Sequence, residues 1–206
     1  MKEFKTEAER AVGPQIAEIF DRSNDSIEDK LGAFPRYVRR QQLKRFLAMY
    51  EIFKMALPVK GSVVECGVFR GFGFMSWLKL STILEPENLT RRIYGFDTFE
   101  GFPTLSSQDD YRDSVTAVGG LAADSEEELR QLIALADQDR FLGHIPKAEL
   151  IRGDIAETAP AFVEANPHLL VSLLFIDCDL FEPTKAALEN FVPRMPKGAI
   201  LAWMPT

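Results

Sequence analysis

The run Leu169-Leu-Val-Ser-Leu-Leu-Phe-Ile-Asp177 constrains this chain more than any other stretch. Between Leu169 and Ile176 it carries a single hydroxyl, Ser172, and no charge. A strand with one wet face alternates apolar and polar residues. A central strand of a parallel sheet is covered on both faces and reads as an unbroken apolar run. Such a strand cannot stand alone, because it needs strands beside it and helices above and below.

Those neighbours are present in the sequence. Val63-Val64, Arg91–Asp97, Ala148–Arg152 and Ala199–Trp203 read as further strands. Between them lie helical patterns: Phe74 to Leu80, a capping box Ser125-Glu-Glu-Glu128 leading into Leu129, Leu132 and Ile133, a short helix ending near Pro167, and Ala186 to Phe191 after Pro183. Five strands alternating with helices predict a doubly wound, largely parallel α/β sheet, in the order 3-2-1-4-5. Gly101 to Ala123 has few large apolar residues and predicts a long mobile loop, either a functional lid or a disordered segment. Ahead of the sheet, Leu43, Phe46, Leu47, Tyr50, Phe53 and Leu57 recur at helical spacing until Pro58. Arg36, Arg39, Arg40, Lys44 and Arg45 share that helix, either as a solvated face or as bases framing a ligand mouth. Residues 1–34 are mostly polar and carry little pattern beyond Ile16, Ile19 and Phe20 on one helical face, and they read as an extension to a domain spanning 35–206.

The first strand runs into Glu65-Cys-Gly67-Val-Phe-Arg-Gly71, a glycine turn entering a helix. In a doubly wound sheet ligands bind beyond the carboxyl ends of the strands, and this turn lies there. Gly71-Phe-Gly73 lacks the third glycine of a dinucleotide fingerprint, because Ser76 stands in its place. Glu65 would also repel a pyrophosphate, whereas a ligand with a cationic amino group beside neutral hydroxyls suits it. S-adenosylmethionine is such a ligand. Four strands end in or just before an acid: Glu65, Asp97, Asp154 and Asp177. A row of carboxylates can accept from ribose hydroxyls and an exocyclic amine, although each acid alone also suits a helix cap.

At 206 residues the chain is long enough for one well-cored domain. Its net charge of −7 argues against nucleic acid or an anionic membrane as partner. Cys66 and Cys178 are too few for a disulfide framework and read as buried thiols. No apolar leader opens the chain and no run reaches membrane-spanning length, so a cytoplasmic location is expected.

The chain resembles the macrocin O-methyltransferase family, S-adenosylmethionine-dependent enzymes of the class I methyltransferase fold. The resemblance rests on Val64-Glu-Cys-Gly-Val-Phe-Arg-Gly71, Gly95-Phe-Asp-Thr-Phe-Glu-Gly-Phe-Pro103, Gly153-Asp154 before Glu157-Thr158, and Phe175-Ile-Asp-Cys-Asp-Leu-Phe181 with Pro183-Thr-Lys185. It spans residues 35 to 201. It implies methyl transfer to a hydroxyl of a small molecule, a sugar or other natural product, with Mg²⁺ assistance. By the same resemblance Glu65, Gly67 and Gly71, with Val68 and Arg70 in that turn, would hold the methionine part of the cofactor. Asp97, followed by Thr98, would take the ribose hydroxyls, and Asp154 and Ile155 would flank the adenine. Asp177 corresponds to a metal carboxylate that assists the chemistry. Asp179 is either a second ligand or, with Asp177, a helix-entry pair.

The resemblance is incomplete at the end of the fifth strand. The family's acidic pair there falls on Met204 and Pro205, and its closing strand pair is not reached by Thr206, as expected either of a truncated or divergent relative or of part of a longer product. A thioether is a soft ligand and proline offers no side-chain donor for a hard cation. The metal site therefore reads as incomplete, and a cofactor binder with weak transfer activity is the alternative. A nicotinamide-dependent oxidoreductase is a third reading, disfavoured by Glu65 and Ser76. The only histidines, His144 and His168, precede strands at the edge opposite the expected site and read as structural. An uncovered fifth strand would also let the chain self-associate.

Overall fold

Parallel pairing brings five strands together in the order β3-β2-β1-β4-β5. They are β1 (Ser62–Cys66), β2 (Ile93–Asp97), β3 (Ala148–Arg152), β4 (Val171–Ile176) and β5 (Ile200–Trp203). The helices are α1 (Glu7–Arg22), α2 (Ile27–Gly32), α3 (Arg40–Ala56), α4 (Phe72–Leu84), α5 (Glu126–Gln138), α6 (Ile155–Ala165) and α7 (Phe181–Phe191). The computed structural model describes residues 6–101, 109 and 125–204. Most of the loop expected over Gly101–Ala123, and Pro205, lie outside the described residues. The chain divides into two compact units, 1–48 and 49–206, the division falling within α3.

The order follows from burial. β1 and β4 are buried at every position, Ser62, Glu65 and Ser172 included, as central parallel strands covered on both faces are. They pair with each other through Val63↔Leu173, Glu65↔Phe175 and Cys66↔Ile176, while β2 joins β1 through Glu65↔Gly95. On one face Trp77 of α4 sits between Phe53 and Phe175, with ring centroids 6.3 and 5.5 Å away. On the other face Phe96 meets Phe162 and Phe191 at 5.3 and 5.2 Å, beneath α6 and α7. Trp77, Phe53, Phe96 and Phe191 have no exposed surface, so each retains the several kcal/mol that burial of an aromatic ring supplies, at roughly 25 cal/mol per Å².

The amino edge of the sheet is tied by Arg91, which is 3% exposed. Its Nε meets Glu85 Oε1 at 2.7 Å. Its Nη atoms donate to the carbonyls of Gly61 at 2.9 Å and Val59 at 3.0 Å, and to Ser172 Oγ. One guanidinium thus gathers the end of α3, the start of β1 and the start of β4.

In the first unit Thr6 and Glu9 form a reciprocal capping box at α1, and Ser26 caps α2. Lys30, 7% exposed, lies over the Phe20 ring at 4.7 Å, and Phe20 meets Tyr37 edge-on. Of the bases noted above, Arg36 pairs with Asp25 at 2.9 Å.

Candidate functional site

Every carboxyl strand end in the centre of the sheet leads into a constrained turn. Gly67 has φ +90°, and a Cβ there would stand 2.2 Å from the Asp177 carbonyl oxygen. The turn after β1 can therefore pass this close to the backbone that follows β4 only because this residue has no side chain. Phe69 follows at φ +52° and Gly71, the N-cap of α4, at φ +80°. Phe99 after β2 and Asp179 after β4 also take left-handed φ, at 58° and 61°. Left-handed backbone is disfavoured for bulky residues and gathers where ligands are held.

Asp97 organises this edge. Its Oδ2 accepts the N–H groups of Val68 and Phe69, both at 2.7 Å, and its Oδ1 accepts Phe99 N–H at 2.7 Å. A carboxylate offers about four acceptor sites, and three of those on Asp97 are taken by backbone amides of the described residues. Thr98 closes the next turn by donating its hydroxyl to the Gly101 carbonyl at 2.6 Å. Arg70 is exposed, with its guanidinium 5.3 Å from the Phe69 ring.

Glu65 is 1% exposed. A Cβ at Gly73 would lie 2.4 Å from its Oε1, so the carboxylate is tucked against the first turn of α4, where helix amides favour negative charge. Gly73 thus leaves the room that this acid occupies. Ser76, where a dinucleotide fingerprint has glycine, donates to the Phe72 carbonyl at 2.6 Å.

The remaining acids divide by role. Asp154 caps α6, accepting Ala156 N–H at 2.9 Å, and the Ile155 side chain is buried in the core beneath that helix. Asp177 is half-buried and its N–H donates to the Cys66 carbonyl at 2.8 Å. Asp179 is exposed as a residue, yet atoms crowding its carboxyl, together with the Asp177 charge, push its pKa up to about 6. Asp109 Oδ1 accepts Phe181 N–H at 2.8 Å, at the start of α7. Cys66 and Cys178 are both free and buried, and their mutual hydrogen bond with burial pushes the Cys178 thiol up. His144 and His168 are exposed ahead of β3 and β4, at the opposite edge.

Three of these groups escaped the sequence reading. Phe69 and Phe99 carry no signal, since phenylalanine is no left-handed residue by preference. Ser125 did carry one, and it misled. The expected capping box is not formed: the Ser125 hydroxyl donates to the Phe69 carbonyl at 2.7 Å, and α5 has no side-chain cap. As a candidate metal centre, Asp177 and Asp179 belong to no group of three or more His, Cys, Asp or Glu that could hold a metal ion among the described residues. The Met204 side chain is 38% exposed.

A doubly wound sheet in this order, with a glycine turn after β1 and an acid closing β2, is the fold of the class I methyltransferases. Within that class the chain belongs to the macrocin O-methyltransferase (TylF) family, whose pattern matches residues 28–202. A curated relative from Streptomyces olivaceus, 8-demethyl-8-(2,3-dimethoxy-alpha-L-rhamnosyl)-tetracenomycin-C 4'-O-methyltransferase, is 30% identical over 155 residues. That match covers 71% of this chain and 53% of the relative, so the chain spans about half the length of the protein it matches. The crystal structure of CalS11, a calicheamicin methyltransferase, superposes with TM-score 0.92 at 31% identity, covering 97% of this chain and 78% of that one. An apo structure of CalS11, described as a TDP-rhamnose 3'-O-methyltransferase, gives TM-score 0.82 at 30% identity over 97% and 79%. The O-methyltransferase NovP, at 23% identity and TM-score 0.57 over 74% and 60%, shares the fold. No helix among the described residues is long and apolar enough to cross a membrane.

Proposed function

We propose that this protein is an S-adenosylmethionine-dependent O-methyltransferase acting on a hydroxyl of a small molecule, a sugar of a glycosylated natural product or of its precursor. The observation that carries the reading is Asp97: at the carboxyl end of β2 it holds the glycine turn through two backbone amides, and among the described residues only three of its about four acceptor sites are taken. The names of the relatives support the sugar acceptor. When bound, the cofactor supplies an electrophilic methyl group on a positively charged sulfur.

The chain's own residues divide the remaining work. The turn Gly67–Gly71, with Val68 and Arg70, fits the methionine end, and the buried Glu65 favours its ammonium group. Asp97 Oδ1 accepts from the ribose. Asp154 and the Ile155 backbone border the adenine. Asp177 and Asp179 face the acceptor, and a carboxyl with pKa about 6 is suited to receive a hydroxyl proton near neutral pH. Two carboxylates are a thin donor set for Mg²⁺, which would have to complete its shell with water and substrate. No step is assigned to the metal. The reading carries a cytoplasmic small-molecule enzyme with no nucleic-acid or membrane partner.

Titration calorimetry with S-adenosylhomocysteine tests the cofactor. Wild type should bind, and Asp97→Ala should weaken binding by roughly 1.5–3 kcal/mol, the worth of a hydrogen bond to a charged group. A thermal-shift panel should show protection by this ligand and none by NAD or NADP. No heat and no protection at millimolar S-adenosylhomocysteine would overturn the reading. Methyl transfer to sugar and phenolic hydroxyls, with Mg²⁺ or a chelator, then reads the metal's part.

A further inference from the structure

Ser125 stands where a capping residue should, with three acids after it, and its hydroxyl turns away from its own helix. The residue is 8% exposed and its Oγ donates to the Phe69 carbonyl at 2.7 Å, across 56 residues of sequence. A serine hydroxyl at this position ordinarily accepts a helix amide. Here α5 goes without that cap while a distant turn gains a donor.

Phe69 is the residue that needs one. It sits at φ +52°, a conformation that L side chains avoid because Cβ crowds the following carbonyl. Asp97 fixes its amide side by accepting Phe69 N–H. Left there, the peptide from Phe69 to Arg70 would be free to rotate and let Phe69 relax. The Ser125 bond pins the carbonyl of that peptide. Gly71 N–H donating to the Val68 carbonyl at 2.9 Å closes the turn from the far side. A neighbouring contact argues the same way: Leu129, one helical turn after Ser125, packs where a Cβ at Gly71 would stand, 2.2 Å from its Cδ2. The start of α5 is thus fitted to the turn at two places.

We infer that Ser125 is a positioning residue for the cofactor, holding the β1–α4 turn in the left-handed form against which the methionine end lies. The inference rests on the cofactor reading above. Ser125 touches no reacting atom. It acts through Phe69, by keeping the turn shaped before the ligand arrives.

The test is a double-mutant cycle on S-adenosylhomocysteine affinity, with S125A, F69G and the pair, alongside the melting temperature of each unliganded chain. Wild-type binding establishes the cofactor; its absence would sink that reading and this one together. With wild type binding, S125A is expected to raise the dissociation constant roughly five- to tenfold, the loss of one neutral hydrogen bond. In the F69G background the same change should cost less than about twofold, because glycine takes positive φ unaided. An unchanged dissociation constant for S125A with a lowered melting temperature would mean that Ser125 serves only α5. An equal loss in both backgrounds would mean that it does not act through Phe69. Should S125A fail to fold, Ser125→Cys, which keeps the size but donates weakly, is read by the same criteria.

Discussion

Glu65 is a carboxylate with almost no exposed surface, and the residue that admits it is eight positions away. Gly73 gives its missing side chain to the Glu65 carboxylate, whose oxygens would stand 2.4 and 2.8 Å from a Cβ built there. Gly73→Ala should therefore destabilise the chain by about 1–3 kcal/mol, the usual cost of an extra methyl in a packed site. The expectation reverses once the acid is gone. In a Glu65→Ala background the same substitution should stabilise, by up to about 0.5–1 kcal/mol, because alanine suits a helix better than glycine. Urea unfolding of the four chains measures both signs. A Gly73→Ala change that stabilises in both backgrounds would show that the carboxylate has other room.

At the scale of elements, the two edges of the sheet carry different labour. The carboxyl edge holds the strained turns at Phe69, Phe99 and Asp179. The amino edge holds Arg91, whose guanidinium binds Glu85 and the carbonyls that end α3 and begin β1. Arg91→Met would take the countercharge from the Glu85 carboxylate, which keeps the Ser81 hydroxyl and the Asn88 amide as donors, and would remove the donor from the carbonyls of Leu57 and Val59. Breaking a buried pair by removing one partner costs about 3–5 kcal/mol, and that loss is expected in the urea midpoint. A loss below about 1 kcal/mol would show that water replaces the guanidinium. The central strand was legible in the sequence, since a parallel strand covered on both faces is a continuous apolar run, as Val171–Ile176 is. By contrast, β3 and β5 alternate in burial and were legible as short apolar runs between helical patterns. The acids Asp97 and Asp177 were legible because each breaks an apolar run at its carboxyl end. Arg91 was not, because its partners, Val59, Gly61 and Ser172, are up to 81 residues away and no local spacing announces them. Ser125 was misread for a related cause: a serine three residues before a glutamate signals a cap, and only tertiary contact can redirect its hydroxyl.

For the molecule as a whole, the unresolved tension lies at β5. Among the described residues this strand pairs only with β4, so its other side presents unpaired amides and carbonyls. The exposed side chains there are apolar: Leu201 is 50% exposed, Trp203 65% and Met204 38%. A net charge of −7 opposes association at low salt, but its reach shrinks as salt is added. This chain is therefore expected to self-associate through β5 at high concentration, more so in salt. The two tryptophans give the readout, because Trp77 is fully buried and Trp203 is not. Light scattering should show mass rising with concentration while the Trp203 emission shifts to the blue. Leu201→Lys, which places a charge on the edge strand, should reverse both. A monomer by scattering at high concentration and high salt, with emission unchanged, would mean that the edge is shielded by some other route. Association without a blue shift would place the contact elsewhere on the molecule.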